Sequence, residues 1–208
     1  MAAGVGGPAG QQLFTSSGTF VVPAGVTSIC VVAIGRGGGA YFDGVDALSG
    51  SGGALAYVNN IAVTPGESLT VSAGSQAKLE RGSTALVHAG NGGEASAGGV
   101  VLVGTGFSGG AGLRVSGDGN AEGGGAGGYT SAGWSGSAGG FNGGGGTSVL
   151  GGGAGSSGGV GPASGGLYGG GAGRQVGAGI VFPSNAAVRF LWGEGRAYPN
   201  TNTGDMSA

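Results

Sequence analysis

Short apolar stretches with a period of two characterise the first part of the chain. Leu69 and Val71 alternate with Ser68, Thr70 and Ser72, which is the pattern of a strand with one buried face. Runs rich in β-branched and aromatic residues indicate further strands over 13–15, 18–22, 29–34, 54–58, 60–63, 85–87 and 100–103. No stretch has the period of an amphipathic helix. We therefore predict a mostly β and irregular fold with no α-helix of note, beginning with an antiparallel β-sandwich over residues 1–88 that serves attachment or assembly.

A last alternating stretch lies in residues 181–208. Three large apolar residues there alternate with Arg189 and Leu191, so one face of a closing strand carries all three and buries them. Arg196 and Tyr198 follow, and we expect them to clamp the chain end onto a neighbouring layer or subunit. The predicted structural anchor comprises Val188, Phe190, Trp192, Arg196 and Tyr198.

Glycine interrupts this pattern in the middle of the chain. It accounts for 60 of the 208 residues and is concentrated in runs between residues 90 and 179. Glycine loses more backbone entropy on folding than any other residue and has no side chain to bury, so this region either stays disordered or packs backbone against backbone. Single large apolar residues such as Tyr129 and Trp134 recur between the runs, whereas flexible linkers use serine and charge. We therefore predict that residues 89–180 form a bundle of packed polyglycine or polyproline-II helices, which have about three residues per turn.

Charge is scarce, and that excludes several kinds of partner. Charged residues make up 8% of the chain, and the formal net charge is −2. The sequence has no basic patch for nucleic acid and no run of roughly 18 apolar residues, so we predict neither nucleic-acid binding nor membrane insertion. A surface with so little charge aggregates unless neighbours cover part of it. We therefore expect the protein to belong to a multi-protein assembly, which leaves a homo-oligomer open.

Candidate catalytic and metal-binding motifs lack the residues that their chemistry requires. Residues 104–109 match a dinucleotide fingerprint, but no amphipathic helix follows them. The chain has one histidine, His88, and one cysteine, Cys30, which are too few for a zinc site; we expect Cys30 to be a buried apolar residue. We interpret Asp43 and Asp46 as turn carboxylates, because a full calcium loop is missing. We predict no metal, no cofactor and no enzymatic activity.

Three parts of the sequence resemble a known class of protein: residues 14–28, residues 53–66 and the glycine runs. They are similar to the glycine-rich structural and tail-fibre proteins of tailed bacteriophages, and residues 187–203 resemble the ending of the same group. The glycine region is also similar to the adhesins at the tips of long tail fibres in T-even-like phages. In those adhesins, packed polyglycine helices present loops to a host receptor. The resemblance implies a virion protein that assembles with other virion proteins.

Two functions are compatible with these features. In the first, the protein is a tail-fibre or tail-appendage tip whose loops contact a host surface glycan or an outer-membrane protein through flat aromatic side chains. The candidates for receptor contact are Tyr129, Trp134, Phe141 and Tyr168. In the second, the protein is a capsid decoration or neck structural protein without a receptor role, and the same side chains are buried against neighbours. We expect the first function.

Overall fold

A computed structural model describes residues 8–135, 165–166, 168–174, 177 and 179–199. Within these residues the chain forms thirteen strands and no helix. The strands are β1 (Gly10–Phe14), β2 (Gly18–Val21), β3 (Ser28–Ile34), β4 (Tyr41–Phe42), β5 (Asp46–Leu48), β6 (Leu55–Ala62), β7 (Ser68–Ser72), β8 (Ala77–Arg81), β9 (Thr84–Ala89), β10 (Val101–Val103), β11 (Thr105–Phe107), β12 (Arg114–Ser116) and β13 (Ala187–Trp192). The predicted mostly β fold without a helix is confirmed for this part of the chain.

Two five-stranded antiparallel sheets pack face to face. The first sheet has the order β1-β13-β3-β6-β11, and the second has the order β10-β9-β8-β7-β2. Phe20, Leu69 and Leu79 from the second sheet and Val31 and Phe190 from the first are completely buried between them. Buried residues alternate with more exposed ones along β7 and β8, because successive side chains of a strand point to opposite faces. This alternation is the origin of the period of two in the sequence.

The centre of the first sheet, at β3 and β13, is buried on both faces. Val31 of β3 faces the second sheet, whereas Val32 and Ile34 belong to a second apolar cluster that also contains Tyr129 and Tyr198. A strand that is covered on both sides needs apolar residues at every position. This explains why β3 is a continuous apolar run and does not alternate.

Extended glycine-rich segments continue from the ends of the strands. Six of them come together: residues 35–40 after β3, 49–54 before β6, 90–99 after β9, 108–113 after β11, and residues 121–128 and 169–174. Residues 49–54, called the central segment below, are all buried. The central segment is joined to each of the other five by backbone hydrogen bonds, so it is the interior of the glycine region.

The backbone hydrogen bonds of the central segment repeat every three residues. Its first and fourth N–H groups donate to residues 108–113, its second and fifth to 169–174, and its third and sixth to 90–99. The acceptors for residues 49 to 54 in turn are the carbonyl groups of Leu113, Ala172, Gly93, Gly110, Gly169 and Gly90, at N···O distances of 2.7–2.9 Å. The carbonyl groups of the same residues accept from the N–H groups of Ala95, Gly124, Gly38, Gly99, Gly127 and Gly35. Every backbone polar group of the central segment is therefore paired, as burial requires.

Glycine is needed in these segments because the backbones lie too close together for a side chain. A Cβ atom on Gly52 would lie 1.9 Å from the carbonyl oxygen of Gly125, and one on Gly38 would lie 1.8 Å from the carbonyl oxygen of Gly93. Neither Gly52 nor Gly38 has a φ in the left-handed region. The need for glycine at these positions therefore comes from the room between backbones rather than from backbone conformation.

The sandwich and the glycine segments alternate along the chain instead of following each other. The large sheets take β10, β11 and β13 from beyond residue 88, whereas the glycine segments 35–40 and 49–54 lie before it. The predicted division into 1–88, 89–180 and 181–208 therefore does not describe the architecture of the described residues. The physical reason is that strands of the sandwich lead directly into glycine segments. The same stretch of chain therefore contributes to the sandwich and to the glycine region.

A three-stranded sheet covers the far end of the glycine segments. Its order is β12-β5-β4. Residues 35–40 run from β3 to β4, and the central segment runs back from β5 to β6. β4, β5 and β12 pack on one another and make no substantial contact with the strands of the two large sheets, so the β4–β5 turn lies at the opposite end of these glycine segments from the large sheets. We call this the outer end of the molecule.

Candidate binding surface

Three parts of the described chain meet at the outer end. These are residues 41–48, residues 114–121, and residues 174, 177 and 179–183. β12 pairs with β5, and Ala40 exchanges two backbone hydrogen bonds of 3.0 and 2.8 Å with Val181. Ala121 and Arg174 exchange another two, of 3.0 and 2.7 Å. Backbone bonds therefore hold the outer end directly on the glycine segments.

The β4–β5 turn is fixed by its own aspartates. The Asp43 carboxylate accepts hydrogen bonds from the N–H groups of Asp46 at 2.7 Å and Val45 at 2.9 Å, and these donors lower the pKa of Asp43. Arg114 of β12 lies 2.8 Å from Asp46 and 3.4 Å from Asp43. The two aspartates are thus turn carboxylates paired with arginine, in agreement with their interpretation from the sequence.

Arg174 is the buried cation of the outer end. It is 2% exposed, and its Nη2 atom lies 2.7 Å from Oδ1 of Asp118. Its guanidinium carbon lies 5.9 Å from the centre of the Phe42 ring, within the range of a cation–π contact. The Asp118 carboxylate also accepts the N–H group of Gly177 at 3.1 Å. Arg174 therefore connects the β4 strand to the chain around Asp118 and Gly177.

Large apolar side chains are exposed at the outer end. Val45, Ile180 and Phe182 have exposed fractions of 70%, 72% and 74%. A single exposed apolar residue is ordinary, whereas several in one region are typical of an interaction site. The outer end is therefore the candidate binding surface.

Two adjoining depressions lie among these side chains. The first has a volume of about 320 Å³ and lies between residues 36–41, 91–94 and 180–183; we call it the Arg36–Glu94 cleft. The second has a volume of about 420 Å³ and includes Phe42 and Arg174 in its lining. Tyr41 and Ile180 line both depressions, so the two adjoin. Each has the size of a small ligand site.

The predicted receptor-contact residues are not at the outer end. Tyr129 is 7% exposed and stacks on Tyr198 with ring centres 5.8 Å apart. Contrary to expectation, Tyr129 is therefore not accessible to a receptor. Its ring packs on the face of the first sheet that points away from the second sheet and covers the apolar residues there. Tyr168 is half-buried against the same cluster, Trp134 is 68% exposed on the flank of the glycine segments, and Phe141 lies outside the described residues.

The hydroxyl group of Tyr129 is buried and has no hydrogen-bond partner among the described residues. Burial raises the pKa of Tyr129 well above its usual value. We expect Tyr129→Phe to stabilise the protein by about 1 kcal/mol, because it removes an unpaired polar atom and keeps the ring. Urea unfolding of the two proteins measures the difference.

Tyr198→Phe is the matched control, since the Tyr198 hydroxyl donates to the carbonyl group of Arg189 at 3.4 Å and its removal leaves that acceptor without this donor. A gain for Tyr198→Phe equal to that of Tyr129→Phe would contradict the explanation.

The predicted anchor packs within this chain. Val188 and Phe190 are completely buried between the large sheets, and Trp192 packs against the same core. The Arg196 guanidinium donates to the carbonyl group of Gly10 in β1, and Tyr198 lies in the cluster on the outer face of the first sheet. These contacts tie residues 187–198 to the first sheet. Cys30 is buried beneath them, as predicted, and its thiol donates to the carbonyl group of Arg196 at 3.3 Å.

Sequence reasoning missed the side chains that the outer end exposes. Tyr41 and Phe42 are adjacent aromatic residues next to the turn residues Asp43 and Gly44, and aromatic residues beside a turn are a signal of a surface contact. Residues 180–183 contain three apolar residues and a proline between two glycine-rich stretches. Both signals are present in the sequence, but neither stands out from the many apolar residues that interrupt the glycine runs.

The chain matches no protein-family model and no curated protein at a significant level. No helix of the described residues is long and apolar enough to cross a membrane. The described part of the chain also contains no cluster of three or more side chains that are able to hold a metal ion.

Proposed function

We propose that the six glycine segments form a bundle of polyglycine helices of the polyproline-II type. Such a helix has about three residues per turn and no internal hydrogen bonds, so its polar groups point outward to different neighbours with a period of three. The hydrogen bonds of the central segment have that period, and all of them join different segments. An experimental structure in which φ and ψ of residues 49–54 cluster near about −75° and +145° would support the bundle; scattered angles would refute it.

We infer that the protein is a structural protein of a bacteriophage virion and forms the tip of a tail fibre or tail appendage that contributes to recognition of the host receptor. The observation that carries this proposal is the group of exposed apolar side chains at the outer end, which backbone hydrogen bonds hold on the closely packed glycine segments. A rigid frame that presents its contact groups at one end binds with little loss of conformational entropy. The resemblance to tail-fibre proteins supports the same function, with other virion proteins and a host surface molecule as partners.

The flank of the molecule supports a second candidate, a capsid decoration or neck protein without a receptor role. Val100, Leu102 and Phe107 are 52%, 53% and 39% exposed on or beside the edge strands β10 and β11. No charged residue occurs between Glu94 and Arg114. An uncharged apolar flank is suited to lateral packing against neighbouring subunits.

Competition for phage adsorption tests the first function against the second. The purified protein, incubated with host cells, is expected to block adsorption of phage particles that carry it. The double variant Ile180→Ser/Phe182→Ser should weaken this block at least tenfold, whereas the matched flank variant Leu102→Ser/Trp134→Ser should keep it. If the intact protein does not block adsorption, and only the flank variant fails to enter particles, the second candidate replaces the first.

A further inference from the structure

The Arg36–Glu94 cleft combines flat apolar groups with polar groups that the protein itself leaves unused. Phe182, Pro183 and Tyr41 are among the residues that line the cleft. The glycine residues 37–39 and 92–93 line it as well and leave their backbone accessible there. A ring-sized ligand in this cleft would therefore meet both apolar side chains and polar backbone.

Unpaired charge is concentrated in this cleft. Among the described residues, the charged side chains without an ion pair or a hydrogen bond are those of Arg36, Glu94 and Glu194. Two of the three line the Arg36–Glu94 cleft. In a chain with so few charges, the placement of one cation and one anion without partners in a single cleft points to a ligand that pairs with both.

Smaller polar groups add to the same set. The hydroxyl group of Tyr41 and the backbone N–H group of Gly39 have no hydrogen-bond partner among the described residues, and both residues line the cleft. The amide of Asn91, in contrast, is occupied: it accepts the N–H group of Arg36 at 2.9 Å and donates to the carbonyl group of Ser75 at 2.8 Å. Asn91 therefore has a structural role in the lining of the cleft, whereas Arg36, Gly39, Tyr41 and Glu94 are left to bind a ligand.

We propose that the Arg36–Glu94 cleft binds a saccharide of the host surface, with the Phe182 ring against the apolar face of a sugar ring and with Arg36 and Glu94 hydrogen-bonded to its hydroxyl groups. A sugar offers both donors and acceptors, so it satisfies a guanidinium and a carboxylate at once. A phosphate or another strong anion is disfavoured by Glu94, and an apolar ligand would leave both charges without partners. The volume of about 320 Å³ holds a short saccharide, and the adjoining depression extends the site for a longer one.

This inference rests on the proposed receptor function for its biological context, but the binding itself is tested separately. The intact protein is applied to an array of neutral and acidic oligosaccharides, including oligosaccharides released from host lipopolysaccharide, and the affinity of each bound saccharide is measured by isothermal titration calorimetry. Phe182→Ala, Glu94→Gln and Arg36→Gln are each expected to weaken binding at least tenfold. Their melting temperatures should stay at that of the intact protein, because the side chains of Arg36 and Glu94 form no hydrogen bond or ion pair within the described part of the chain and Phe182 is 74% exposed.

Trp134→Ala is the matched control, because Trp134 is an aromatic residue with a similar exposed fraction to Phe182 but lies outside the cleft. Unchanged saccharide binding by Trp134→Ala, together with its loss in the cleft variants, supports the proposal. Absence of binding to every saccharide at millimolar concentration, or equal loss in Trp134→Ala, overturns it. If no saccharide binds but the protein still blocks phage adsorption, saccharide binding is refuted and the proposed receptor function is retained. If a saccharide binds in the cleft but adsorption is not blocked, saccharide binding is supported and the receptor function is refuted.

Discussion

Replacing Gly52 by alanine is expected to destabilise the protein by about 3 kcal/mol or more. The new Cβ atom would lie 1.9 Å from the carbonyl oxygen of Gly125, so one of the two backbones has to move. The movement also disturbs the hydrogen bonds from Gly52 to Gly110 and from Gly99 to Gly52, both 2.8 Å long. Urea unfolding followed by tryptophan fluorescence measures the loss of stability.

The matched control for this prediction is Gly179→Ala. A Cβ atom added to Gly179 would have no heavy atom within 4 Å beyond its chain neighbours, and the φ of Gly179 is outside the left-handed region. Its substitution should therefore change stability by less than about 0.5 kcal/mol. Equal stabilities for Gly52→Ala and Gly179→Ala would show that the central segment has room for side chains, which is incompatible with the packing described above.

Phe190→Ala should cost about 3–5 kcal/mol of stability. Phe190 is completely buried, stacks on Phe20 with ring centres 4.1 Å apart and meets Phe14 edge to face at 5.6 Å. Its removal leaves a cavity between the two large sheets that neighbouring aromatic rings cannot fill. The midpoint of urea unfolding and the melting temperature both report this change.

Phe182→Ala provides the comparison for Phe190→Ala, because it removes the same side chain from a position that is 74% exposed. We expect its unfolding midpoint to equal that of the intact protein. A small effect of Phe190→Ala, similar to that of Phe182→Ala, would mean that β13 is not part of the core.

The predictable strands are those with a clear apolar signal, either a continuous apolar run as in β3 or a period of two as in β7. In β7, Leu69 and Val71 face the core and the residues between them are exposed, so the period of two survives in the sequence. β8 was missed although Ala77 and Leu79 are buried in the same way. Its other residues, Lys78, Glu80 and Arg81, are all charged, which is unfavourable for a strand. Its pairing with β7 and β9 makes it one.

The candidate site was much less predictable, because a glycine-rich sequence has no pattern that distinguishes buried from exposed positions. The burial of Tyr129 and the exposure of Phe182 are decided by which backbone lies beside each residue, and those neighbours are far away in the sequence. Ala40 determines the position of Val181 through two backbone bonds, and this places Ile180 and Phe182 outside. A glycine-rich stretch has no hydrophobic pattern from which the pairing of its residues with distant segments is predictable.

The order in which the chain is synthesised has a consequence for the central segment. Gly50 and Gly53 donate to Ala172 and Gly169, which leave the ribosome roughly 120 residues later, or about 6–24 s at ordinary rates of translation. During that interval the N–H groups of the central segment lack part of their acceptors, and the apolar face of β3 lacks its cover. We therefore expect newly made chains to pass through a slow stage in which they are prone to aggregate, and a chaperone that shields β3 should raise the yield of folded protein more than an increase in the stability of the final fold would.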